Sequence, residues 1–128
     1  MTVVDLAAYR RRKEERWLER EILEWTDPDA QDLLVITLDA IRRQEDAGGL
    51  WTLASAYRIH CPEDPAGTLA AGASQVLLGE DRGFDLLHDA IAMADDNPFY
   101  VRFAAYAIGA SPFPPEVRTG ELVELRKI

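Results

Sequence analysis

The chain has two histidines and one cysteine, and their spacing limits the chemistry they can do. His60 and Cys61 adjoin. A thiol nucleophile needs a base within hydrogen-bond reach and a third group to orient that base. Neighbouring residues on a helix point about 100° apart, which opposes such a pairing. Only Asp64 stands close enough in sequence to orient a base. The pair reads better as the end of a helix. His60 sits near the negative end of the helix dipole, and Cys61 is a small apolar filler before Pro62.

Asp85, His88 and Asp89 place carboxylates and an imidazole on adjacent helical turns, which is half of a carboxylate-bridged metal site. The other half requires a matching Glu-x-x-His on a second helix, and the residue three before His60 is Tyr57. His88 is therefore expected to be an ordinary histidine at the edge of an apolar face, with no metal and no cofactor bound. The carboxylate pairs Glu63-Asp64, Glu80-Asp81 and Asp95-Asp96 fall in turns or at helix ends, where water leaves both groups ordinary. Gly67, Gly72, Gly79 and Gly83 match neither phosphate-binding glycine loop, and Gly72-Ala73-Ser74-Gln75 lacks the second glycine of a nucleophile elbow. No catalytic constellation emerges, and a non-enzymatic protein is expected.

The charged residues carry more information. Arg10-Arg11-Arg12-Lys13 is followed at once by glutamates, so that Arg10–Glu14, Arg11–Glu15 and Arg20–Glu24 stand at the spacing of helical ion pairs. Tyr9, Arg12, Arg16 and Arg20 share one helical face. Trp17 lies about 90° from the apolar stripe on that helix, a geometry in which core packing does not claim it. Exposed tryptophan beside arginine is the composition of binding hot spots. Tyr9, Arg12, Arg16, Trp17 and Arg20 are the expected partner-binding set. An alternative acidic face is formed by Asp85, Asp89 and Asp96, with Asp95 at its end.

The elements that position these residues are all helical. Residues 6–25 contain no Gly or Pro and are rich in good helix formers, with Val4, Ala7, Leu18, Ile22 and Trp25 on one side. Arg11, Glu14 and Glu15 interrupt that stripe. Thr26 or Asp27 can cap a second helix, in which Leu34, Leu38 and Ile41, widened by Leu33 and Ile36, face inward until Gly48-Gly49. A third helix over 50–60 turns Leu50, Leu53, Ala54 and Tyr57 inward and ends at the prolines 62 and 65. Residues 66–78 form an Ala-rich helix with Ala70, Ala73 and Leu77 as its buried stripe. Phe84, Leu87, Ile91 and Ala94 mark a fifth helix, and Phe99, Phe103, Tyr106 and Ala107 a sixth. Trp51 falls off the inward face of its helix. Beyond Pro112-Phe113-Pro114-Pro115, residues 121–128 fit a helical turn or a short strand equally well. The expected fold is an all-α bundle of about six helices with a Pro-rich C-terminal tail. It divides into a charged helix (1–25), a helical core (26–110) and a connector with tail (111–128).

Composition bounds what such a fold does. The chain has 128 residues, 48% of them apolar, and its formal charge is −9. That length and apolar content suit one domain with a sizeable core. One cysteine excludes an internal disulfide framework. No apolar run reaches the roughly 20 residues needed to span a bilayer, and the N-terminus lacks a signal-peptide core, so a cytoplasmic protein is expected. A net negative surface disfavours direct binding of nucleic acid or anionic membrane. Residues 1–24 hold six acids and six bases, whereas 25–128 hold seventeen acids and eight bases and carry the whole excess. This split favours a small protein–protein interaction module, an adaptor, assembly or regulatory protein. It would dock through its N-terminal helix onto a protein partner or a second copy in a homo-oligomer. The alternative is an acidic inhibitor, of the immunity or anti-defence kind, that blocks a basic protein surface by mimicking the charge of nucleic acid.

Overall fold

The computed structural model describes residues 6–25 and 27–128, with Trp25 described by its backbone alone. Expectations for Val4, for Thr26 as a cap and for the Trp25 side chain lie outside the described residues. Among the described residues there are seven helices and no strand: α1 (Leu6–Trp25), α2 (Pro28–Arg43), α3 (Ala47–His60), α4 (Pro65–Leu77), α5 (Arg82–Met93), α6 (Pro98–Ala110) and α7 (Pro115–Arg126). The helix beyond the expected six is α7. Pro115 at its first turn supplies a fixed helical φ, and Leu125 gives it one buried anchor.

Local chemistry explains most boundaries. Asp27 caps α2, its Oδ1 accepting from the Ala30 N–H at 3.0 Å. Asp64 does the same for α4 at Ala66 (2.9 Å), and Asn97 for α6 at Phe99 (2.9 Å). Each of these three helices has proline in its first turn. The expected stop of α2 at Gly48-Gly49 is displaced. α2 ends at Arg43 because Gln44 turns left-handed (φ 54°), and its side-chain amide is held by the Ala110 carbonyl at 2.9 Å. Gly48 and Gly49 instead lie in the first turn of α3.

The centre of the molecule is α4. The expected stripe of Ala70, Ala73 and Leu77 understates its burial, because every residue from 66 to 76 is buried. Helices α2, α3, α5 and α6 surround it. Small side chains permit this crowding, most tightly where α4 crosses α5. A Cβ on Gly72 would lie 2.9 Å from the Leu87 backbone nitrogen, and one on Gly83 2.7 Å from that of Val76. The polar groups inside α4 are satisfied. Ser74 donates to the Ala71 carbonyl at 2.7 Å, and Gln75 accepts from Arg82 Nε at 2.6 Å.

Around this hub, Phe84, Leu87 and Ile91 of α5 and Phe99, Phe103, Tyr106 and Ala107 of α6 point inward as their spacing predicts. Leu53 does not. α3 presents only Leu50 and Ala54 as fully buried anchors, and Leu53 lies 41% exposed. α1 packs against both α2 and α6, and α7 packs against α6. Phe113 folds back onto Phe84, their ring centroids 4.7 Å apart, so the proline-rich connector is fastened to the core.

Candidate interaction surface

α1 has two chemically distinct sides. Its inner side starts from Leu18 and Ile22, both fully buried. One turn earlier, at the same angular positions, stand the charged residues that interrupt the apolar stripe. They meet polar groups of α6. Arg102 donates to both oxygens of Glu14, at 2.8 and 2.7 Å, and Tyr106 donates its hydroxyl to Glu15. Glu14 and Glu15 thus turn to α6, where the i,i+4 spacing had matched them with Arg10 and Arg11. Burial, followed by the hydrogen bond to the Glu15 carboxylate, raises the Tyr106 pKa well above the ordinary phenol value.

Trp17 belongs to this inner side as well, contrary to its expected place in the partner-binding set. Its ring centroid lies 6.4 Å from that of Phe99, and the Arg102 guanidinium stacks over it at 3.5 Å. The physical reason is that α1 lies against two helices, so its contact arc is wider than one stripe. The bidentate pair and the stacking cation hold α1 in register. Because Arg102 remains 42% exposed, solvent screening limits the pair to about 1 kcal/mol or less. Trp51 likewise packs on the core, with Arg82 5.2 Å over its ring.

The outer side keeps the rest of the expected set. Tyr9, Arg12, Arg16 and Arg20 are all exposed, and Arg16 Nε reaches only the Arg12 carbonyl, at 3.4 Å. Leu23 continues this face, three residues beyond Arg20, and is 67% exposed. Beside it, Val35 and Ile36 project from α2. Leu23, Val35, Ile36 and Leu38 line a cleft of about 420 Å³, closed at its polar edge by Glu19, Asp39 and Arg42. Ile36 and Leu53 continue the apolar strip between α2 and α3. Spacing alone places Ile36 on the core side of α2 and Leu53 on that of α3, but both are exposed. Helical spacing could have revealed Leu23, which shares the Arg16/Arg20 face. It could not have revealed Ile36, because α2 is apolar around more than half its circumference. Contiguous exposed apolar surface rimmed by charge is the usual mark of a protein contact.

The alternative acidic face is shorter than expected. Asp85 and Asp89 are exposed on α5, but α5 ends at Met93 and the chain then turns through two left-handed residues, Asp95 (φ 53°) and Asp96 (φ 60°). Those two carboxylates leave the helical row. Asp89 also borders an open cleft of about 670 Å³ with Trp51, Arg58 and Met93.

The residues with catalytic potential are occupied otherwise. Asp64, the one group able to orient a base near His60, accepts from Ala66 N–H through Oδ1 and from the Tyr57 hydroxyl through Oδ2. Burial and that carboxylate together push the Tyr57 pKa up. His60 is exposed and Cys61 half-buried. His88 Nε2 lies 3.7 Å from a Glu121 oxygen on α7, an ion pair once the imidazole is protonated. Among the described residues no group of three or more His, Cys, Asp or Glu side chains is placed to hold a metal ion. No described helix is long and apolar enough to cross a membrane. Comparison of the chain with protein-family models, with curated proteins and with solved structures gives no match.

Proposed function

We propose that this chain is a non-enzymatic protein–protein interaction module that docks through the outer face of α1 and the apolar strip beside it. The observation that carries this reading is the division of α1. Its inner residues Glu14, Glu15 and Trp17 are committed to the fold, whereas the side chains of Tyr9, Arg12, Arg16, Arg20 and Leu23 lie exposed on the outer face. A row of guanidinium groups running into exposed Leu23, Val35 and Ile36 suits a partner that presents carboxylates along an apolar ridge. The acidic body of a second copy is one surface of that kind. The test pairs light scattering of the purified chain with capture of partners from the source cell. Arg12→Glu/Arg16→Glu/Arg20→Glu and Leu23→Asp should each abolish the complex while circular dichroism stays unchanged. A complex that survives both variants refutes the assignment.

A second reading, charge mimicry by an acidic inhibitor, draws on one observation. Asp85 and Asp89 are exposed on one face of α5 without a cationic partner among the described residues. It requires that Asp85→Asn/Asp89→Asn, and not the α1 variants, weaken binding to a basic target, and that salt weaken it steeply.

A further inference from the structure

We propose that the groove between α1, α6 and α7 is a binding site for a small ligand carrying two or more oxyanionic groups, phosphoryl or carboxylate, on an apolar body. The groove has a volume of about 500 Å³, within the range of small-molecule sites. Arg10 and Arg11 from α1, Arg102 from α6 and Arg126 from α7 line it, with Glu14 as the sole acid. A chain of net charge −9 therefore has a cavity whose lining carries a charge of about +3.

The single acid does not neutralise these arginines, because both oxygens of Glu14 are engaged by Arg102. Among the described residues, Arg10, Arg11 and Arg126 form no ion pair. Arginines elsewhere differ. Arg42 and Arg43 are paired with Asp39, Arg82 is bonded to Gln75, and Arg118 is held by the Gly109 carbonyl. Arg12, Arg16 and Arg20 lie on an open helix face with no opposing wall. Arg58 is also unpaired among the described residues, but it stands alone in the cleft beside Trp51, whose lining includes Asp89. Among the described residues this groove is where several uncommitted guanidinium groups meet between three helices.

Guanidinium matches phosphoryl and carboxylate oxygens equally through its planar fork. Cations from two sides of the groove call for at least two anionic groups. Ala7, Ala105 and Leu122 supply apolar surface for the part of the ligand between them. This site lies on the inner edge of α1 and stands independently of the docking face.

Isothermal titration of the full chain with inorganic pyrophosphate, and separately with citrate, at constant ionic strength tests the site. Saturable one-to-one binding of at least one probe is expected. Arg126→Gln, and Arg10→Gln/Arg11→Gln, should each weaken it tenfold or more. Arg12→Gln/Arg16→Gln removes the same charge from the outer face and should leave affinity within twofold. Binding of pyrophosphate alone assigns the phosphoryl class, and binding of citrate alone the carboxylate class. Absence of saturable binding by both probes overturns the proposal. So does equal weakening by the inner and outer arginine pairs, which would reveal mere attraction to a positive helix.

Discussion

Helices α4 and α1 stand at opposite extremes of this fold. α4 is buried along nearly its whole length and contains no charged residue. α1 is bound by two fully buried side chains, an aromatic contact and a small set of polar links to α6. Close packing on all sides leaves α4 one possible placement, since each neighbour is fixed by shape. α1 is anchored by Leu18 and Ile22 near one end, and along its earlier turns it is placed by charge and hydrogen bonding, interactions that water competes for. A helix held that way retains a full outer face for other contacts, and that is where the candidate docking residues lie.

The sharpest attack on this contrast is at the α4–α5 crossing. Gly72→Ala should gain up to about 1 kcal/mol of helix propensity but force its Cβ into the Leu87 backbone, for a net loss of about 2–3 kcal/mol in urea denaturation. A neutral result would mean that the two helices are not locked together. Of similar size, Ile22→Ala on α1 removes a fully buried side chain and should cost about 2–4 kcal/mol by the same measurement.

Arg102→Ala strips the partner from Glu14 and the cation from Trp17. It should cost about 1 kcal/mol and raise hydrogen exchange in α1 while α4 amides stay protected. Equal loss of protection in both helices would erase the distinction. A subtler test uses alkaline pH. Tyr106 holds its proton more tightly folded than unfolded, so its contribution to stability is complete below the ordinary phenol value near 10 and falls away as pH rises through the higher folded value. Tyr106→Phe should therefore flatten the loss of stability measured between about pH 9 and 11. The smallest effect belongs to the outer face, where Arg16→Ala should change stability by less than about 0.5 kcal/mol.

How legible these features are in sequence follows the same contrast. The cap Asp27 and the inward rows of α5 and α6 depend on neighbours within one or two turns, and spacing exposes them; the caps Asp64 and Asn97 emerge only from the fold. The full burial of α4 is not legible. Alanine and glycine say that a neighbour can approach, not that four do. Trp17 misleads because a helical wheel assumes one contact direction, while α1 has two. Glu14 and Glu15 read as local ion-pair partners, and only the fold brings Arg102 and Tyr106 beside them from more than eighty residues away. Tyr9, Arg12, Arg16 and Arg20 are legible because an exposed face needs no partner to be recognised. The groove of Arg10, Arg11 and Arg126 is not, since it unites opposite ends of the chain.

The position of α4 along the chain has a consequence during synthesis. Its covering helices α2 and α3 are made before it, but α5 and α6 follow it. Once residues 65–77 have emerged, and before 82–110 have followed, the nascent chain carries a helix rich in alanine whose α5-facing side, around Gly72, has no cover. That surface stays open to other chains until roughly thirty more residues emerge, a wait of a few seconds at ordinary elongation rates.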